Sequence, residues 1–288
     1  VCMDHQRAQS KRGSTIEISV FDKVSITDSL ILEKIKKRTE FIEDTQEIQS
    51  EILEIIVNKQ AQDEIQEGER GIVILKQTNF YGEKGGQLGD TGELIIDNKA
   101  MAQVMNAIDL AGIVQHEVEI KRGILRKGDI VIAKIDAGRR EDIMKNHTAT
   151  HILHHALKKI LGPHVKQAGS LVAPYRLRFD FTHFKALTGE ELVKIEDVVN
   201  EDIRKGSEVT TGMLPLKEAR AKGAIALFGE KYGEEVRMVS VGDYSRELCG
   251  GTHVKNTAQI RFFKIISESS IASGVRRIEA ITGEPAYQ

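Results

Sequence analysis

The sequence predicts an α+β chain in three parts: an N-terminal helical segment, a small antiparallel β-barrel, and an α+β domain with helices laid on an antiparallel sheet. Three observations carry this. Isoleucines recur at mostly helical spacing before residue 67, glycine-bounded apolar runs follow to residue 137, and two amphipathic stretches alternate with strand-like runs beyond it.

From Ser29 to about Ile65, Ile31, Ile35, Ile42, Ile52 and Ile56 stand among abundant Glu and Lys, which reads as one long helix or a helical pair. Residues 1–67 form the first part. Residues 68–137 hold GIVIL (71–75), MAQVMNAI, GIVQHEVEI and DIVIAKID, separated by turn signals at Gly112, Gly123 and Gly128. Short strands so spaced predict a small antiparallel barrel or sandwich. Within this part, FYGEKGGQLGDTGELII (80–96) carries five glycines, a pattern of tight turns and close backbone approach.

Residues 138–288 form the third part. GRREDIMKNHTATHILHHALKKILG is an amphipathic helix with Ile143, Ile152, Leu153, Leu157 and Ile160 on its apolar side and Gly162-Pro163 as its stop. HVKQAGSLV and YRLRFDFTH pair as strands around Pro174. A second helix opens at Thr188, with Glu191 in capping-box spacing. EVTTGML, EVRMVSV and the alternating stretch from Thr257 to Thr282 complete the sheet.

The chain has 288 residues, 40% hydrophobic and 29% charged, the composition of an ordinary soluble globular protein. No apolar run approaches the roughly 20 residues of a membrane span. The start, VCMDHQRAQSKRG, has no signal-peptide core and no initiating Met, so the expectation is a cytoplasmic protein cut from a longer chain. With 41 basic against 43 acidic residues there is no large basic field, and no DNA partner is expected. RNA contact falls to local clusters: Arg139-Arg140, Lys158-Lys159, Arg176 with Arg178, and Arg276-Arg277. Cys2 and Cys249, far apart in a cytosolic chain, are not expected to form a disulfide.

His147-Thr148-Ala149-Thr150-His151 offers two imidazoles from one helix face at i,i+4, and Cys249-Gly250-Gly251-Thr252-His253 brackets a pliable loop with a thiolate and a third imidazole. Three imidazoles and one thiolate suit Zn²⁺. His151 with His155 is an equally spaced pair, and His154 lies three residues from His151, so spacing alone leaves the ligand pair open. A protease-type HExxH helix is excluded, because Thr148, Ile152 and Ala156 stand where its Glu would be. Loop 82–92 contains no GxxxxGK[ST] run and is not a nucleotide-binding P-loop.

The paired NHTATH and CGGTH elements resemble those of the alanyl-tRNA synthetase editing domain and its freestanding trans-editing relatives, and more distantly the editing domain of bacterial threonyl-tRNA synthetases. FYGEKGGQLGDTG is similar to the Gly-rich signature of the β-barrel before that domain, and SGVRRIEAITG (273–283) to its end. Asn79 and Lys84 depart from the usual signature. These anchors span about three quarters of the chain. The resemblance implies His147, His151, Cys249 and His253 as the ligands of one Zn²⁺, residues 1–67 as the end of the helical tRNA-recognition region, and a fragment of the full ATP-dependent alanine–tRNA ligase. It also implies hydrolysis of serine or glycine wrongly joined to tRNA-Ala, with Gln167 facing the pocket to position the ester or a water.

An alanine pocket rejects serine poorly because an added hydroxyl costs too little, so a second, hydrolytic site must read that hydroxyl. Thr148, next to a ligand, is the expected reader. The alternative functions are a freestanding alanyl-tRNA trans-editing protein, or a non-catalytic zinc-stabilised RNA-binding module.

Overall fold

The computed structural model describes residues 40–226 and 232–287. Most of the expected N-terminal helical segment, and Cys2, lie outside the described residues. Where that expectation runs into them it is overturned: Glu47–Val57 is an eleven-residue strand, β1. Gln60–Gln62 and Glu64–Gln66 are also strands. A register shift between Ile52 and Glu54 turns both Ile52 and Ile55 into the barrel core, while Leu53 and Ile56 join a second cluster with Ile72 and Ile74. Burial on both faces plus a bulge produced the i,i+3 and i,i+4 spacings that mimic a helix. The β-branched isoleucines suit the extended chain.

Five more strands complete the barrel: β2 (Arg70–Leu75), β3 (Gly92–Ile96), β4 (Ala100–Leu110), β5 (Ile113–Arg122) and β6 (Ile130–Ile135). Their order is β6-β3-β4-β5-β2-β1, every pair is antiparallel, and β6 also pairs with β1. The sheet is therefore closed with six strands, and the barrel begins before residue 68, at Glu47. Val73, Leu94, Val104, Val118 and Val131 fill its interior. Beside them His116 is wholly buried, with Nδ1 2.9 Å from the Val73 carbonyl and Nε2 2.7 Å from the Thr78 hydroxyl.

The expected long helix follows as α1 (Ala137–Leu161). Asp136 caps its start by accepting the Arg139 N–H at 3.0 Å, and Gly162 follows its end. Then come β7 (Gln167–Val172), β8 (Leu177–Thr182), and α2 (Gly189–Arg204), which opens with the reciprocal Thr188–Glu191 capping box. The remaining strands are β9 (Val209–Pro215), β10 (Glu235–Val241), β11 (Ser245–Leu248), β12 (Phe263–Ala272) and β13 (Val275–Thr282). They form a four-stranded sheet, β7-β8-β13-β12, and a three-stranded sheet, β9-β10-β11, both antiparallel. Ile152, Leu153 and Leu157 of α1 share one core with Phe179, Phe181, Ile195, Val199 and Phe263.

The Gly-rich loop joins the two units. Its backbone pairs with the end of β7, Leu88 N–H donating to the Val172 carbonyl at 3.0 Å and Val172 N–H to the Gly86 carbonyl at 2.8 Å. Gly86 sits at φ +88°, where a Cβ would lie 2.7 Å from the Ser170 carbonyl oxygen, so only glycine fits. Asp90 of the loop receives the Tyr81 N–H at 2.6 Å and the guanidinium of Arg140 on both carboxylate oxygens. Arg140 also donates to the Asn79 carbonyl at 2.7 Å. No described helix is long and apolar enough to cross a membrane.

Candidate metal centre and active site

The cluster rests on α1 and on the segment after β11. Helical spacing stacks the rings of His147 and His151 at 5.4 Å between centroids, and His253 lies 4.3 Å from His147 and 4.9 Å from His151. The ligand atoms of His147, His151, Cys249 and His253 all lie within 4.8 Å of one another. The approach is close because residue 251 is glycine: a Cβ there would fall 2.0 Å from the His147 ring.

Each histidine turns Nδ1 away from the cluster toward an outer partner. His147 Nδ1 meets Gln87 Oε1 at 2.6 Å, and His253 Nδ1 meets the Thr148 hydroxyl at 3.1 Å. His151 Nδ1 lies 3.1 Å from the Glu247 carboxylate, in ion-pair contact but off the line of a hydrogen bond. The Nε2 atoms of His147 and His253 each lie 3.4 Å from Cys249 Sγ. Such outer partners fix ring orientation in metal sites.

Electrostatics favour the ligating forms of Cys249 and His253 and, without an ion, the protonated form of His151. Burial alone would raise the Cys249 thiol, but the imidazoles of His147 and His253 hold it well below the usual thiol range. Burial and the neighbouring His147 push His253 down to about 3. Burial opposes protonation of His151, yet the Glu247 carboxylate and the Cys249 sulfur raise it to about 10. Burial would likewise raise Glu247, but His151 and His154 hold it below the usual carboxylate range. A thiolate with three convergent imidazoles is a zinc-type donor set.

His147, His151 and Cys249 of the cluster form one wall of a cavity of about 330 Å³, whose other walls include Thr150, Gln167 and Ser170. Gln167 donates to the Ser170 hydroxyl at 3.2 Å. A second cavity of about 180 Å³, bounded by Phe41 and Val114 of the barrel side, shares Tyr81, Lys84 and Gly250 with the first.

Thr148 lies off the cavity. It is wholly buried, its hydroxyl is taken by His253 and by the Val254 N–H at 3.3 Å, and it does not line the cavity. One residue along a helix rotates the side chain by about 100° from His147, whereas Thr150, three residues on, returns to the same face. His154 and His155 stand outside the cluster, the first bonded to Glu247 Oε1 at 2.9 Å and the second packed on Tyr244. Arg140, expected among the RNA contacts, is buried on Asp90 instead. Arg176, Arg276 and Arg277 are paired with Glu279, Glu268 and Asp180, and Arg178 lies 3.6 Å from Asp180.

Sequence reasoning missed Gln87 and Glu247 as outer partners. Gln87 lies inside the Gly-rich signature and Glu247 two residues before Cys249, but their partners lie 60 or more residues away.

Comparison with known proteins agrees with this architecture. The family model for class II (A) tRNA synthetases matches residues 1–139, and that for the threonyl and alanyl tRNA synthetase second additional domain matches residues 236–279. An alanine–tRNA ligase of Geobacillus thermodenitrificans is 50% identical over 90% of this chain and 30% of its own length. That of Bdellovibrio bacteriovorus is 52% identical over 78% of this chain and 25% of its own. For Acetivibrio thermocellus the identity is 51% over 97% of this chain and 31% of the relative. The chain thus spans about 30% of the length of such relatives. On the barrel, the four-residue cluster and these matches together, the chain belongs to the alanyl-tRNA synthetase family.

Proposed function

We propose that this chain is the editing portion of an alanine–tRNA ligase acting in the cytoplasm, and that it hydrolyses the ester linking serine or glycine to tRNA-Ala. The observation that carries the reading is the convergence of three imidazoles and a depressed thiol beside a cavity that His147, His151 and Cys249 line together with Gln167, Thr150 and Ser170. Attachment of alanine with ATP belongs, on this reading, to the rest of the longer protein.

His147, His151, Cys249 and His253 would hold one Zn²⁺. When bound, the ion supplies Lewis acidity to an ester carbonyl or an attacking water. The chain's own residues do the rest. Glu247 and Thr148 hold the rings of His151 and His253, and Gln167, tethered to Ser170, positions the ester or a water with its carboxamide. Thr150 takes over the expected task of Thr148: it shares the face of His147, lines the cavity, and its oxygen, which donates to the Asn146 carbonyl at 2.8 Å, keeps lone pairs for a serine hydroxyl. Lys158 and Lys159, at the end of α1, form no ion pair among the described residues and are the basic pair we assign to tRNA phosphate.

The deciding experiment is deacylation. The chain should release serine from Ser-tRNA-Ala while sparing Ala-tRNA-Ala. Equal rates on both would refute an editing role, and release from neither would leave a metal-stabilised RNA-binding module.

A further inference from the structure

The barrel's Gly-rich loop reaches the metal centre through one side chain, Gln87, which is wholly buried. Its carboxamide has three partners. Oε1 receives the Thr252 backbone N–H at 2.9 Å and lies 2.6 Å from His147 Nδ1, while Nε2 donates to the Thr252 hydroxyl at 2.9 Å.

These contacts fix the proton positions without ambiguity. A backbone N–H can only donate, so the atom facing Thr252 N must be the carboxamide oxygen. The same oxygen faces His147 Nδ1 and can only accept, so Nδ1 must carry the ring proton. The neutral ring then has its lone pair on Nε2, the nitrogen that faces Cys249 Sγ. The chain of donors thus runs from one motif through the barrel to the other, and dictates which nitrogen of His147 is offered to an ion.

The loop is also held in register with the helix. Arg140 and His147 are seven residues apart, two turns along one face of α1, and they meet Asp90 and Gln87, three residues apart in the loop. The first contact anchors the loop and the second delivers the carboxamide.

We infer that Gln87 is the positioning residue for His147, so that the barrel completes the metal centre of the neighbouring unit by fixing the tautomer and orientation of one ligand. The inference rests on the metal-centre reading above. It gives the Gly-rich loop a role that its glycines alone do not: they bring the backbone close enough for one amide side chain to reach the centre.

The test is metal affinity of the full chain, measured with Zn²⁺ by chelator competition and with Co²⁺ by visible absorption, for the unaltered protein, Gln87→Leu and Gln87→Glu. Gln87→Leu should weaken binding about 10- to 100-fold, the usual effect of losing an outer partner. Gln87→Glu should restore affinity, because a carboxylate accepts from both His147 Nδ1 and Thr252 N, and the Thr252 hydroxyl can rotate to donate to it. A residue serving only to fill space would show little loss in Gln87→Leu, whose side chain is of similar volume. Nitrogen-15 spectra of the histidines should give the Nδ1–H tautomer for His147 in the unaltered chain and in Gln87→Glu. Equal affinity in Gln87→Leu, or a Gln87→Glu variant as weak as Gln87→Leu, overturns the inference while leaving the metal centre standing. If melting of the metal-free chain shows that Gln87→Leu is unfolded, Gln87→Glu and the tautomer decide alone. An unaltered chain that binds neither ion refutes the metal centre and this inference with it.

Discussion

The contact between Arg140 and Asp90 joins the barrel to α1, and its removal should cost far more than the loss of an ordinary ion pair. The two side chains are 7% and 1% exposed, so solvent screening offers little relief. Replacing Arg140 by Met keeps much of the side-chain length and removes the charge. Asp90 would then stay buried with only the Tyr81 N–H, and the Asn79 carbonyl would lose its donor. Breaking one side of a buried pair costs about 3–5 kcal/mol because the other charge is left uncompensated. Adding Asp90→Asn removes that charge while leaving an oxygen for the Tyr81 N–H, so the double variant should recover at least half of the loss. Urea unfolding at neutral pH, with unchanged dependence on denaturant, is the assay. A loss below about 1 kcal/mol, the value of an exposed pair, would refute the argument, as would a double variant no better than the single one.

Thr148→Val should slow deacylation of Ser-tRNA-Ala and Gly-tRNA-Ala alike, by the roughly 5- to 150-fold that corresponds to about 1–3 kcal/mol for stranded partners. Thr150→Val should slow the serine substrate selectively, and the reverse pattern in paired rate measurements would return the reading of serine to Thr148. His154→Gln should leave one metal per chain by elemental analysis while His147→Ala removes it; the opposite result would move the ligand set. His116, held down to about 4 by burial, is neutral in the folded barrel. Its unfolded value is about 6.5, so between these values the unfolded chain binds more protons, and stability falls as pH falls, by about 3 kcal/mol in all. Denaturation at pH 7 and near pH 4.5 should show a smaller acid loss for His116→Gln, and an unchanged loss would discount this residue.

Much of the fold could be read locally. The apolar stripe and capping residues of α1 and α2, the glycine-bounded strands and the Pro174 turn all depend on near neighbours, and the structure has them where the pattern placed them. The segment from Glu47 to Gln66 could not be read so, because a bulge and two-sided burial are set by strands β2 and β6, which the local pattern does not contain. That Thr148 does not line the cavity could have been read from helical rotation, which separates it from His147. Gln87 was hidden: its partners His147 and Thr252 are 60 and 165 residues away. Nothing in a glycine-rich run marks one amide among its polar residues.

The two glycines between Cys249 and Thr252 are spent differently, and the difference sets what each position can become. At 251 a methyl collides with a ligand ring, so every substitution there is a change to the centre itself. At 250 a methyl would meet only the Lys84 side chain, at 3.8 Å, an ordinary contact. Gly250 borders both cavities, however, and a side chain there would take up space at their shared boundary. Position 250 is thus a dial on room rather than on chemistry: alanine, serine and valine there would narrow the space beside the centre by degrees while every proposed ligand keeps its place.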